Sequence, residues 1–536
     1  MEKTLNIAGH QIKIEKTKSP VLSKEETAKM LKAFESYRNA KEPIDRNVIE
    51  NENWFKGNHW QYISGSNPER SAFKPAGSYL LNGIWHRHSE AMENYPKPVL
   101  LEREKGDREN AELLSRVLPL ILKKNRFDST YSDIWWYKLK QGSGVYGVFW
   151  DKNEENGLGD ISIKKIDLLR FYPEPYIADI QDSRYIFVLS LCALEEAKRR
   201  YPDANLKENG NSFSLKGYFG TEDVRDKAVI IDCYEKVNQN GKTVLHLTKI
   251  IGEKAVYSTK TDPLYSESGL YNHGKYPFVI DTMIPVEGSP FGMGIIDVGK
   301  NAQAQIDKLE YLIERNALIS SRQRFLVKRD GGIDPKQLSD LSVDFIECDR
   351  NVDDSSIRPL QAEPISQTVI SCRENKISEL KEIIGNRDFS QGDTNNGVTA
   401  YAAISALQQA SGKLSRDAID TSYRAYSQVI YMVIELISQF YTEKRSFRIL
   451  GEDGKTEYIS VNGAGEFSAA VFDIEVSAYK KNAFDSLSHN ELVMELFRSG
   501  AFNSENIEGT KAAVNAMVLD NKQGIIRLLE KLKGEN

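Results

Sequence analysis

Five stretches of this chain have residue types that chemistry uses, at spacings that can be tested. Gly142-Ser143-Gly144-Val145-Tyr146-Gly147 has the GxGxxG pattern. A dinucleotide site needs a strand before that pattern and a helix after it, so that the pyrophosphate meets the helix N-terminus. Here a helical pattern precedes it and the strand-like VYGVFWD follows, so it reads as a turn with close backbone packing. Gly412-Lys413 resembles the end of a Walker A motif. Leu407 stands where the first glycine belongs and Leu414 where the hydroxyl belongs, so the phosphate-cradling loop is missing. His86 and His88 are two apart on a predicted helix and diverge, which makes them poor joint metal ligands. Asp353-Asp354 and the acids of 295–320 read as solvated faces, and no GxSxG elbow supports a serine nucleophile. The expectation is no catalytic residue, no cofactor and no metal.

The bulk composition agrees with a structural role. The chain has 536 residues, 40% of them hydrophobic and 28% charged, with a formal net charge of -6. That length predicts three or four structural units of ordinary soluble type. No apolar run is long enough for a transmembrane helix, and the N-terminal MEKTLNIAGHQIKIEK lacks a signal-peptide core. The four cysteines lie far apart and form no CxxC pair, which points to free thiols. A protein that grips DNA phosphates over a broad face is usually basic, so any DNA contact is expected to be local or sliding.

The elements that would position these residues follow from periodicity. A helix is expected over 23–40, opened by Ser23 with Glu26 three residues on, and a second helix after Pro43. Helices are expected at 79–95, 108–124 and 128–141, with a Pro-containing charged turn between the first two. Strand patterns occupy 144–151, 160–175, 182–192, 228–237 and 242–258, interrupted by a helix at 194–203. The Asn-Gly turn at 238–241 joins the last two strands. This first half reads as α+β.

From Ile295 to about Ser320 a long helix carries Ile296, Ile306, Leu309, Ile313 and Leu318 on one face. Its other face carries Lys300, Gln303, Asp307, Glu310 and Glu314. Residues 321–364 read as short strands around a Gly-Gly turn. A helix over about 365–384 follows, with Val369, Cys372, Ile377, Leu380 and Ile384 on one face and Gly385 ending it. A polar loop (386–397), a very long helical stretch (398–444), strands at 445–452 and 471–479, and a helical tail complete the chain.

This order of elements resembles the portal proteins of tailed bacteriophages. WFKGNHW (54–60) is similar to an aromatic-Gly-x-x-Trp element near portal N-termini. GSGVYGVFWD followed by DISIKKIDLLRFYPEPYIADIQDSRYIFV resembles the portal wing strands. HGKYPFVIDTMIPVEGSPFGMGIID resembles the entry to the first stem helix, and GVTAYAAISALQQAS the start of the helix after the tunnel loop. Each motif is degenerate; order and spacing over about residues 20–480 carry the likeness.

The resemblance implies an α+β portal-type fold. Its parts would be an N-terminal wing (1–291), stem helix 1 (292–320), a clip (321–364), stem helix 2 (365–385) and a tunnel loop (386–397). A long helix with C-terminal wing strands (398–480) and a helical crown (481–536) would follow. It implies a dodecameric ring at the capsid portal vertex of the virion, assembled in the host cytoplasm, through which double-stranded DNA is packaged and ejected. Implied partners are the terminase large subunit, a head-completion or tail adaptor, and the capsid and scaffolding proteins, with no membrane. The channel lining is expected at Arg387, Gln391, Asn395 and Asn396 of the loop and at Lys300, Gln303, Asp307 and Glu310 of the first stem helix. Clip residues Arg329, Asp330, Asp334, Lys336, Asp349 and Arg350 are expected to meet terminase and adaptor. A mixed or acidic lining would let DNA slide past. Two competing readings are a metal-dependent nuclease and a virion protein without a channel.

Overall fold

A computed structural model describes residues 3–7, 10–14, 22–63, 74–103, 108–202, 215–222, 227–321, 324–328, 336, 348, 357–360, 364–385, 413–443, 445–450, 456–461, 472–480, 483–500, 507–517 and 525–526. Two compact units emerge. The larger comprises Met1–Glu52, Trp85–Asp297 and Gly412–Asn536, and the smaller Asn53–Ile84 and Val298–Ser411.

In chain order, a hairpin of β1 (Lys3–Ile7) and β2 (His10–Ile14) precedes helices α1 (Lys24–Phe55), α2 (Trp60–Ile63) and α3 (Tyr79–Glu93). Strand β3 (Asn94–Glu102), helices α4 (Arg108–Lys124) and α5 (Phe127–Gln141), and strands β4 (Ser143–Asp151), β5 (Asp160–Ile166), β6 (Phe171–Tyr172) and β7 (Tyr185–Ala193) follow. After α6 (Leu194–Arg200) come β8 (Leu215–Gly217), β9 (Gly220–Glu222), β10 (Lys227–Gln239), β11 (Lys242–Ile251) and β12 (Lys254–Ser258). Strands β13 (Phe278–Thr282), β14 (Ile284–Val286) and β15 (Ser289–Met293) lead into α7 (Ile295–Ser320). Then come β16 (Arg324–Val327), β17 (Ile357–Leu360), α8 (Gln367–Ile384) and α9 (Lys413–Phe440). Strands β18 (Arg445–Leu450), β19 (Thr456–Val461) and β20 (Phe472–Lys480) and helices α10 (Ala483–Arg498) and α11 (Ile507–Ala516) end it. The fold mixes helices and antiparallel strands, as the α+β reading expects.

The larger unit is built on an antiparallel sheet of order β12-β11-β10-β7-β6. Strand period sorts β10 onto two faces. Val229, Ile231 and Cys233 pack with Phe187 and Leu189 against Met30, Phe34 and Tyr37 of α1. Ala228 and Ile230 pack on the other side with Ala197 of α6. Phe34 meets Phe187 edge to face at 5.4 Å. This shared apolar face also explains why α1 is one helix where the sequence suggested two. Pro43 removes one backbone hydrogen bond. Burial on both sides of it, at Tyr37 before and Val48 after, outweighs that loss. The expected cap forms: Ser23 Oγ accepts from the Glu26 N–H at 3.3 Å.

A second sheet, β13-β4-β5, lies against α5 and α9. Gly142 caps α5 in the left-handed region at φ +83°, and its N–H bonds to the Lys138 carbonyl. A Cβ there would fall 2.2 Å from the Gly292 carbonyl oxygen, so the GxGxxG pattern serves backbone packing, as expected. At the centre of this layer, Lys138 of α5 donates to Asp281 of β13 (2.6 Å), to the Ala418 carbonyl (2.8 Å) and to Ser422 Oγ (2.8 Å) of α9. Both ionic side chains are fully buried, and burial pulls the Lys138 amine below the ordinary lysine range.

The 94–102 segment, expected to be a turn, is the strand β3, paired along its length with β20. Its outer edge is closed. Pro96 and Pro98 have no N–H, the Leu100 N–H donates to Ser115 Oγ (3.3 Å), and Tyr423 donates to the Asn94 carbonyl (2.8 Å). The Asn-Gly turn between β10 and β11 is as expected, with Asn240 and Gly241 both at positive φ. The four cysteines are free thiols.

Two predictions follow from the buried ionisable groups. Replacing Lys138→Met strands the Asp281 carboxylate in the core and is expected to cost about 3–5 kcal/mol, read by denaturant unfolding of the purified chain. Burial holds His88 and His246 below the ordinary histidine range, and burial with Lys275 and Lys236 nearby lowers His273 to about 4. The unfolded chain therefore takes up more protons than the folded one below about pH 6.5, the free-histidine value, and stability falls as pH drops. The unfolding midpoint is expected to fall between pH 7 and pH 5. A variant with all three histidines replaced by glutamine should show a shallower fall.

Candidate functional site

The smaller unit carries the described part of the expected stem. Ser366 caps α8 by accepting the Thr368 N–H on its hydroxyl (3.3 Å), and Gly385 ends it in the left-handed region at φ 72°. Helices α7 and α8 pack through Gly299, where a Cβ would stand 3.2 Å from Leu380 Cδ1. They are also joined by Arg373, whose Nη2 donates to Glu310 at 3.1 Å. Gly83 of α3 admits Ile384 in the same way.

The polar side of α7 is turned inward where the sequence reading turned it outward. Gln303 and Asp307 are 0% exposed. His59 of the WFKGNHW stretch explains the burial. Its Nδ1 meets Asp307 Oδ2 at 2.6 Å and its Nε2 meets the Trp54 carbonyl at 2.9 Å. One ring nitrogen thus faces a carboxylate and the other a backbone carbonyl. Trp54 stacks on the ring at 4.5 Å. The other Asp307 oxygen accepts from the Gly77 N–H (3.1 Å) and from Gln303 Nε2 (2.8 Å). A carboxylate with three donors is stable without water. Gln303 and Asp307 are therefore a buried clasp and offer no side chain to a solvent-filled channel. Helical periodicity alone hides this burial, because it assigns polar residues to the outside.

The other expected lining residues are placed as follows. Lys300 is half-buried, and Glu310 is half-buried and tied to Arg373. Arg387, Gln391, Asn395 and Asn396 lie outside the described residues, as does the whole 386–397 loop. The exposed face of α7 is instead Val298, Asn301, Gln305, Lys308, Leu312 and Arg315. On α8, Leu380 and Ile384 are buried as expected, but Cys372 is exposed, one step round the helix from the packed stripe. In the segment expected to be the clip, β16 pairs with β17, and Lys336 is exposed. Arg329, Asp330, Asp334, Asp349 and Arg350 lie outside the described residues, with Asp353 and Asp354.

Among the described residues no group of three or more His, Cys, Asp or Glu side chains is placed to hold a metal. His88 stacks on Trp136 at 4.1 Å and bonds to Ser132, so the His86-x-His88 pair is not a joint ligand set. Among them, too, no helix is long and apolar enough to cross a membrane.

An α+β chain whose polar clusters are packing devices fits a structural protein class. The model of the Phage P22-like portal protein family matches residues 89–275 and 341–531, more than half of the sequence. The chain belongs to that family, so it is a portal protein of a tailed phage, from a structural, non-enzymatic family of the phage head. Residues 276–340, with α7, lie between the two matched segments. A comparison with curated proteins finds no match.

Removing the clasp's carboxylate, Asp307→Ala, leaves His59, Gly77 and Gln303 without their acceptor. The expected loss is about 3–5 kcal/mol in denaturant unfolding. Asp307→Asn keeps an acceptor and is expected to lose less than the alanine variant.

Proposed function

We propose that this chain is one subunit of a closed ring, a dodecamer, at a capsid vertex, and that double-stranded DNA passes through the ring during packaging and ejection. The observation that carries the reading is the family match over both halves of the chain. In this reading the larger unit serves as wing and crown, and α7 and α8 form the stem. Residues 321–364 form the clip, where Arg329, Asp330, Asp334, Lys336, Asp349 and Arg350 meet the terminase large subunit and later the tail adaptor. Capsid and scaffolding proteins surround the wing.

For the channel lining, the buried Gln303 and Asp307 are set aside. Arg387, Gln391, Asn395 and Asn396 of the 386–397 loop remain the proposed narrowest point, with Lys300 and Glu310 below it. The net charge of -6 supports a conduit. A mixed or acidic lining releases few counterions and holds DNA loosely, so sliding meets a low barrier. Loop amides touch phosphates by short-range hydrogen bonds instead.

Electron microscopy of the purified full chain tests this directly. Ring particles with an axial hole are expected. A homogeneous monomer at micromolar concentration, with no ring under any assembly condition, sinks the reading. A monomer that cuts DNA with magnesium would put the nuclease reading in its place.

A further inference from the structure

Two exposed helix stripes of the smaller unit have unlike chemistry. On α7, Val298, Asn301, Gln305, Lys308, Leu312 and Arg315 recur at steps of three and four and so share one face. That face has two cations and no carboxylate. On α8 the exposed face is Ser371, Glu374, Ser378 and Glu382, flanked by Asn375 and Glu379. Lys376 pairs with Glu379 at 2.6 Å. Among the described residues the Glu374 and Glu382 carboxylates, the Lys308 amine and the Arg315 guanidinium have no side-chain partner. Each stripe lies opposite its helix's packed face, because Gly299 and Glu310 on one helix and Leu380 and Arg373 on the other meet within the chain.

A closed ring of identical chains is generated by rotation alone, and each chain meets its neighbours through two different faces. Rotation about an axis along the stem raises no residue relative to its counterpart in the next copy. Levels within one chain therefore carry over between chains. Gly299 is level with Leu380, and Glu310 with Arg373. The helices thus run antiparallel. Counted from the first contact Lys308 stands level with Ser371 and from the second with Asn375, a single turn of α8 that holds Glu374; Asn301 falls likewise between Ser378 and Glu382.

Resting on the ring reading above, we propose that the α7 stripe of one copy seats on the α8 stripe of the next, with Lys308 opposite Glu374. Leu312 and Val298, both more than two-fifths exposed, supply apolar contact on the α7 side. The ion pairs choose the partner face and its register, because like charges would meet in any other pairing of the two stripes. DNA phosphates are the other chemistry that the α7 cations fit, and the test separates the two.

The test is charge reversal in the full-length chain, followed by ring yield on size exclusion and electron microscopy. Both positions are exposed, so the subunit fold is expected to survive, which circular dichroism checks. Lys308→Glu and Glu374→Lys singly are expected to cut ring yield at least tenfold, and the double variant to regain most of it. A second readout uses Lys308→Cys with Glu374→Cys in a background carrying Cys348→Ser and Cys372→Ser. Mild oxidation is expected to give a ladder of covalent multimers. Rings at wild-type yield from both single variants, or oxidation giving monomers alone, overturn the proposal and leave the ring reading standing. Rings at full yield that no longer take up DNA overturn it in favour of a phosphate-facing stripe. Failure of the unaltered chain to form rings sinks both.

Discussion

The larger unit turns on one buried ion pair, Lys138 with Asp281. Lys138 lies in the core with no exposed surface, and its ammonium, carried on α5, reaches β13 and α9 at once. Apolar packing tolerates small slides, because one methyl group replaces another at little cost. An ammonium in a dry interior does not. It must find its three acceptors together, and each is supplied by a segment remote in sequence. The register of α9 against β13 is therefore set by geometry that hydrophobic burial alone would leave loose. The aromatic layer around it, with Phe127 against Tyr146 and Tyr426, then packs on a fixed frame.

How much of this was legible in the sequence depends on how local the deciding force is. Caps and turns are local, so Ser23 with Glu26, the Asn240-Gly241 turn and Gly385 read correctly. The long β10 and β11 strands announced themselves by β-branched content. Local rules failed where distant packing outvoted them. Pro43 suggested a helix boundary, yet apolar burial on both sides of it keeps α1 whole. Pro96 and Pro98 suggested a turn, yet β20, nearly four hundred residues later, supplies the ladder that makes β3 a strand.

The site region shows the same limit more sharply. Gln303, Asp307 and Glu310 share a polar stripe, and nothing in their spacing says which way that stripe points. The signal lay elsewhere, in His59, an uncommon residue set between two tryptophans. A histidine in such surroundings needs acceptors, and a carboxylate on a neighbouring helix is the cheapest one to provide. Once Asp307 is taken inward, the outward face of α7 falls to Asn301, Gln305, Lys308 and Arg315. The exposed charge of the helix thereby changes sign, from the acidic face read off the sequence to a basic one.

The closed edge of β3 has a consequence for crowding. In the proposed ring each subunit meets its own kind at close range. An open strand edge under those conditions is a template: it pairs with any identical edge, in any number and without closure. The two missing N–H groups at Pro96 and Pro98, and the Ser115 and Tyr423 contacts beside them, take that option away on this edge. Backbone pairing is indifferent to sequence and would join copies in arbitrary register. With that route shut here, contact between copies at this edge must go through side chains, whose shapes and charges can select one register over another.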